Sequence, residues 1–313
     1  MDRKIETEEQ ISTLKELTER ALLEQLNLTK VTAPLYVQAN SGLNDNLNGV
    51  EEPVTFVISD VKYQIVHSLA KWKRWYLGKL NAQPGKGILA NMVAIRKDEQ
   101  LTSIHSNLVD QWDWEKVLLK EDRTIDTLIN HGILIFKSLR KVEARWKTIS
   151  GAQEILPENL KVIHTEDLLQ LYPGLTPKER ENAITREHGC VFLIGIGAEL
   201  SNGQKHDLRA PDYDDWSTLD KNGKPGLNAD ILVWNAATEA CLELSSMGIR
   251  VDENTLLEQL KRSGNEDRAK LPFHKAILSK KLPYTIGGGI GQSRVIMFFL
   301  QMKDIKHVQA VHS

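Results

Sequence analysis

Gly287-Gly288-Gly289-Ile290-Gly291-Gln292-Ser293-Arg294 runs straight into Val295-Ile296-Met297-Phe298-Phe299-Leu300. Glycines let backbone approach a neighbour or a ligand closely. The apolar run that follows reads as a buried helix, too short to span a membrane. N–H groups at a helix start attract anions, and an arginine in the first turn adds a planar charge suited to phosphate. Taken alone, the string has two readings, a phosphate-facing turn or a tight structural turn. A dinucleotide fingerprint would open the first βαβ unit of its domain, whereas this string lies near the C-terminus. It also lacks the lysine of a P-loop.

Upstream, residues 5–26 carry Ile11, Leu14, Leu17, Ala21, Leu22 and Leu26 at helical spacing. Lys30 to Val37 reads as a strand, with Pro34 marking an edge or an interface. Strand signals recur at Val54–Ser59, Tyr63–Ser68, Ile88–Arg96, Ser106–Trp112, Val191–Ile196, Ile231–Trp234 and Cys241–Arg250. Helical patterns fall at Leu69–Leu80, Asp122–Thr148, Glu166–Tyr172, Pro177–His188, Asn254–Ser263 and Phe273–Leu278. Strands in runs, with few crossover helices, predict an α+β fold with an antiparallel β-sheet and flanking helices. No linker or repeat interrupts the 313 residues, so the expectation is a single domain over 1–313. The net charge of −2 offers no field for nucleic acid or anionic membrane. Cys190 and Cys241 lie in apolar stretches and read as buried free thiols of a cytoplasmic protein. No signal peptide is visible, and no Cys/His spacing suggests structural zinc.

Four polar clusters stand out. They are Asn44-Asp45-Asn46, the run from His67 to Arg74, the run from Asp110 to Glu115, and the run from His206 to Trp216. On a strand, Gln111 and Asp113 share a face. Trp112 and Trp114 would wall that face and dry it, so its carboxylate needs a cation such as a substrate amino group. The alternative is a surface strand of alternating polarity. The fourth cluster packs five charged residues and a histidine into eleven positions, either as a solvated loop or as an ordered one in which Asp207 pairs with Arg209. Asp230 and Glu243 lie in or beside apolar strands, where Mg2+ on nucleotide phosphates would answer their charge.

Together these stretches resemble one family, the ammonia-dependent aspartate–ammonia ligases called asparagine synthetase A. The resemblance rests on Leu43 to Gly49, Val66 to Arg74, Val109 to Glu115, His206 to Ser217, Glu243 to Arg250 and the glycine string, and it runs over nearly the whole chain. It implies the catalytic-domain fold of class II aminoacyl-tRNA synthetases and a homodimer. Pro34, Arg96 and Gly289-x-Gly291-x-x-Arg294 would then mark that fold's three signature motifs. It also implies ligation of L-aspartate to ammonia with ATP, through a β-aspartyl-adenylate, with AMP and pyrophosphate released.

By the same resemblance, Asp45, Arg96, Gln111 and Arg294 are the expected catalytic residues. Ser68, Lys73, Asp113, Asp214 and Ser246 would bind aspartate. Ile104, Ser106, Val109, Leu244, Gly289 and Gly291 would bind ATP, and Asp230 and Glu243 the metal. This chain departs from the family pattern at Leu89 and Ala90, which would alter the wall before Arg96, and in its short end at Val311-His312-Ser313. The loop Leu219–Pro225 looks elaborated. An aspartyl- or asparaginyl-tRNA synthetase shares the implied fold, but such a protein carries an anticodon-binding domain not seen in this sequence. A non-catalytic paralogue would have lost Arg96, Arg294 or Asp45, and all three are present.

Overall fold

The computed structural model describes residues 4–45 and 51–310. Asn46, Asn48, Gly49 and the Val311–Ser313 tail lie outside them. In chain order the elements are α1 (Ile5–Leu26), β1 (Leu28–Val31), β2 (Tyr36–Gln38), β3 (Thr55–Ile58), β4 (Val61–Ile65), α2 (Ala70–Lys79), β5 (Gly87–Ile95) and β6 (Leu108–Leu118). Then come α3 (Ile125–Ser150), β7 (Lys161–His164), α4 (Thr165–Leu171), α5 (Pro177–His188), β8 (Cys190–Ile194), β9 (Asn228–Asn235) and β10 (Ala240–Ile249). α6 (Glu253–Arg262), α7 (Pro272–Leu278), β11 (Tyr284–Gly291) and α8 (Gln292–Phe299) complete the fold.

One eight-stranded sheet, in the order β1-β5-β6-β11-β10-β9-β8-β7, forms the centre. Its inner pairs are antiparallel, and only the outermost pairs, β1–β5 and β7–β8, are parallel. A second sheet, β2-β4-β3, is small. The antiparallel α+β expectation therefore holds.

Period-two alternation decides what each strand buries. Trp112 and Trp114 of β6, Ile286 and Ile290 of β11, and Leu242, Leu244 and Met247 of β10 enter one core with α1, α3 and α8. Full burial of one such apolar side chain is worth roughly 1.5–3 kcal/mol. The tryptophans thus point away from Gln111 and Asp113, and Trp114 stacks on His131 of α3. They do not wall the polar face, which corrects the expectation above. On that other face, Ala90, Met92 and Ala94 pack under α2, α6 and α7. At the far end Val191, Leu193 and Leu232 pack under α4 and α5. Between these two helical shoulders the middle of the sheet stays open.

Helix ends follow from sequence. Thr124 caps α3 by accepting the Thr127 N–H, and Gly151 closes it at φ 73°. Thr176 and Glu179 form a capping box on α5 with Pro177 in the first turn.

Several boundaries differ from the sequence reading. Lys30 to Val37 is not one strand: β1 joins the large sheet, β2 the small one, and Pro34 lies in the link between them. β6 runs on to Leu118, and β7 is an additional short edge strand. The main correction concerns the glycine string. It is no turn but the interior strand β11, and none of its glycines has positive φ. Its glycines serve close approach. A Cβ on Gly287 would land inside the Glu115 carboxylate, and one on Gly289 would lie 2.5 Å from Gln111 Oε1. Gly291 has room, its nearest neighbour standing 3.5 Å away.

Gly287→Ala should therefore destabilise the protein by about 1–3 kcal/mol, because Arg250 fixes Glu115 and the clash cannot relax. Gly291→Ala should cost under about 1 kcal/mol. Urea midpoints at constant slope compare the two; equal losses would show that clearance is not the reason for the glycines.

Candidate active site

The open middle of the sheet is a cleft of about 400 Å³ floored by β6, β11 and β10. Asp45, Ser68, Lys73, Arg96, Ile104, Ser106, Val109, Gln111, Asp113, Asp214, Glu243, Leu244, Ser246, Gly289, Gly291 and Arg294 all line it. Asp230, alone of the expected site residues, does not.

Each residue reaches the cleft for a local reason. Gln111, Asp113 and Glu115 alternate along β6 opposite Gly291, Gly289 and Gly287, so the side chains lie across a strand that has none. Gly248 of β10 makes the same kind of room, since its Cβ would lie 2.5 Å from Asp214 Oδ1. A β-bulge between Glu243 and Ser245 shifts the alternation of β10, which keeps Glu243 and Ser246 on the cleft side. Arg96 follows β5 in phase with Ala90, Met92 and Ala94. Asn44 fixes Asp45: its Oδ1 accepts the Asp45 and His67 N–H groups, while its Nδ2 donates to the Ile65 carbonyl at 3.1 Å.

The floor is a network of buried charge. Lys73 pairs with Asp113 and donates to the Gly288 carbonyl at 2.8 Å. Burial pulls its ammonium below the usual range, against the support of Asp113 and Glu115. Asp113 Oδ2 is buried with no partner. Arg250 grips Glu115 through Nε and Nη2, the latter at 2.7 Å, and its Nη1 takes Asp214. Burial raises the Asp214 carboxyl despite Arg250 and Arg209. Tyr213, under the Arg250 guanidinium, has its phenol pushed well above the ordinary range by burial and by the Asp45 charge.

Toward the α8 end, Arg294 donates to the Glu243 carbonyl at 3.1 Å and stands 3.7 Å from its carboxylate. The N-terminus of α8 is not open to an anion, because Asp110 accepts both Ser293 N–H and Ser293 Oγ–H. Arg294, rather than the helix start, therefore faces the cleft. Ser68 Oγ donates to Asp45 Oδ2 at 3.0 Å. Arg96 donates to the His67 carbonyl.

Three further expectations change. Arg209 pairs with Asp230, not Asp207, so Asp230 lies behind a guanidinium. Burial, with the charge of Glu243, pushes the Asp230 carboxyl up to about 7 against the pull of Arg209. Glu243 is not buried; its side chain is 39% exposed. Leu89 belongs to the main core and Ala90 to the core under α2, and neither touches the cleft. Among the described residues no three His, Cys, Asp or Glu side chains gather at metal spacing. Two carboxylates on adjacent strands can still hold Mg2+ when phosphates and water complete its shell. Burial raises the Asp230 carboxyl, which already has a cation in Arg209, so of the two carboxylates Glu243 is the one on the cleft wall.

Arg250 and Glu115 are functional residues that the motifs contain but do not single out. For Glu115 the signal is its place two residues beyond Asp113 on β6, a second carboxylate on one strand face that needs a cation from elsewhere in the fold. His105 of the β5–β6 loop also lines the cleft, its ring held below the usual range by burial and by Arg294. Cys190 and Cys241 are free and buried, and burial raises both thiols.

This sheet order and cleft define the class II aminoacyl-tRNA synthetase catalytic fold. The Entamoeba histolytica asparaginyl-tRNA synthetase in complex with asparaginyl-adenylate matches with a TM-score of 0.70 at 13% identity. The match covers 97% of this chain and 66% of that protein, just under two thirds of its length. The Pyrococcus horikoshii asparaginyl-tRNA synthetase complexed with asparaginyl-adenylate gives 0.71 at 14%, covering 97% and 68%. Such identities show the fold alone. Closer relatives are at hand in sequence: aspartate–ammonia ligases of Parabacteroides distasonis and Clostridium tetani are each 50% identical over 309 residues, covering 97% of this chain and 90% and 88% of theirs. The aspartate-ammonia ligase family profile matches residues 5–312. The chain belongs to the aspartate–ammonia ligase family, and it is an enzyme that forms asparagine from aspartate and ammonia with ATP.

Removing one partner of a buried ion pair leaves an uncompensated charge and costs about 3–5 kcal/mol. Arg250→Met should lose stability on that scale, and Glu115→Gln added to it should recover part. Urea unfolding of both variants measures this; a single variant within about 1 kcal/mol of the parent would remove the network from any structural role.

Proposed function

We propose that the cleft activates aspartate as a β-aspartyl-adenylate. A β-carboxylate oxygen attacks the α-phosphorus of ATP and the bond to pyrophosphate breaks. The lone pair of ammonia then attacks the β-carbonyl carbon, the bond to AMP breaks, and a proton leaves the nitrogen. The observation that carries this reading is one cleft holding both Arg96 and Arg294 beside an unpartnered buried oxygen, Asp113 Oδ2.

Both substrates of the first step are anions, so fixed positive charge is the requirement. Arg96 and Arg294 supply it on the phosphates. Asp113 Oδ2 takes the α-amino group of aspartate. Lys73 has three donors and uses two on Asp113 and Gly288, which leaves one for the α-carboxylate, joined by Ser68. Gln111, Asp214 and Ser246 line the side-chain end. Ile104, Ser106, Val109, Leu244 and the flat surface of Gly289 and Gly291 receive the adenosine. Glu243, with Asp230 behind it, would hold Mg2+, whose charge offsets that of the phosphates. Asp45 binds the incoming ammonium; a carboxylate is a weak base near neutral pH, so positioning is its main role. A homodimer contact near Pro34 is supported by Leu35 and Tyr36, apolar and partly exposed beside it. No described helix is long and apolar enough to cross a membrane.

Pyrophosphate release should need aspartate and ATP but no tRNA; dependence on added tRNA would favour a synthetase instead. Asp45→Asn should keep ATP–pyrophosphate exchange and lose asparagine formation. Arg294→Ala should lower turnover about 100-fold, the usual worth of one oriented charge donor. If exchange vanishes in Asp45→Asn, that residue serves the first half-reaction. Near-normal turnover in Arg294→Ala would exclude its phosphate role.

A further inference from the structure

Tyr213 lines the reaction cleft, half-buried between the buried acids Asp212 and Asp214, and has no role so far. Its hydroxyl makes no hydrogen bond with any described residue, yet it is not among the atoms sealed from solvent. It therefore opens on the cleft. The rest of the residue is held firmly. Its carbonyl accepts the Val251 N–H at 2.8 Å, and Gln259 Nε2 donates to the Pro211 and Asp214 carbonyls on either side at 3.0 and 2.9 Å. The ring centre lies 5.7 Å from the Arg250 guanidinium, which Glu115 and Asp214 fix in turn.

Asp212 fastens this loop to the wall that carries Asp45. Asp212 Oδ2 accepts from Lys71 Nζ at 2.8 Å and lies 2.9 Å from His274 Nε2. Lys71 stands in the first turn of α2, just after Ser68, whose hydroxyl donates to Asp45. His274 packs against Gly42, where a Cβ would come within 3.1 Å of Nδ1, and the Phe273 N–H donates to the Ser41 carbonyl at 3.1 Å. The segments 41–45, 68–71 and 211–214 thus meet around one buried carboxylate. Burial holds the Tyr213 phenol neutral, and among charges Asp45 weighs on it more than Asp214, its neighbour in sequence.

A carboxylate beside an amine favours the charged ammonium, which has no lone pair to attack with. A neutral phenol oxygen accepts an N–H from ammonium and from ammonia alike. We propose that Tyr213 Oη is a second acceptor in the ammonium site, taking one N–H of the nitrogen while Asp45 takes another. This rests on the ammonia-dependent reading above and adds a binding residue to it. The nitrogen keeps its bond to Oη when its proton leaves, so it stays in place with a lone pair free for the β-carbonyl carbon. The phenol only binds; it gains and loses no proton.

The test is kinetic, with ammonium chloride as the probe. Tyr213→Phe removes one oxygen and keeps the ring on Arg250. Its urea midpoint should match the parent, because the lost oxygen has no protein partner. Its KM for ammonium should rise about 10- to 100-fold, the worth of a hydrogen bond to a charged group. Saturating ammonium should restore most of the turnover. The KM values for aspartate and ATP in pyrophosphate exchange should hold at the parent's values, which a general loosening of the cleft would not allow. An unchanged ammonium KM in Tyr213→Phe overturns the proposal and leaves the ligase reading intact. A parallel rise in the aspartate KM overturns it too, and gives the hydroxyl to the amino acid. Absence of pyrophosphate exchange in the parent enzyme would instead sink the adenylate reading.

Discussion

Arg250 holds the cleft together from below. Its guanidinium binds Glu115 on β6 and Asp214 in the loop before β9, so one planar fork ties three segments. At that depth a carboxylate without a cation beside it would carry a large desolvation cost. Lys73 does the same for Asp113 and for the backbone of β11 at Gly288. These pairs fix the height of the floor, and the cleft residues are positioned relative to it. The polar face of the sheet stays polar because its charges are largely answered within it, with Asp113 Oδ2 left as an open acceptor on the cleft floor.

That arrangement demands space in a particular place. Side chains from β6 must lie flat across the next strand, and only a strand without side chains on that face permits it. Gly287 and Gly289 meet this need, and Gly248 meets it for Asp214 on the other side. The glycine string is thus a steric device first. Arg294 benefits because β11 delivers it directly, with α8 anchored at its start by Asp110.

Much of this was legible in the chain. Helical spacing set α1, α3 and α5, and strand runs set the antiparallel sheet. Family resemblance grouped Asp45, Arg96, Gln111 and Arg294 in one cleft, and the fold brings them there. What escaped the reading has a common cause: it depends on which strand lies beside which. Glycine strings suggest turns, and nothing local says that Glu115 will need the room. Arg209 is two residues from Asp207 in the same loop, yet its partner is Asp230 on β9. Trp112 and Trp114 adjoin Gln111 and Asp113 in sequence, yet alternation along β6 sends them to the opposite face. Lys30 to Val37 carried one continuous pattern, and only sheet pairing divides it at Pro34.

The two rims of the large sheet have a consequence for behaviour in a crowded solution. Both are four-residue strands, β1 and β7, and both pair parallel with their single neighbours. A bare rim is a template on which foreign chains can polymerise. Here each offers hardly more than two outward amides, and Lys30, locked to Glu19, guards the first. The protein can therefore carry a wide, strongly apolar sheet without inviting fibre growth at its margins.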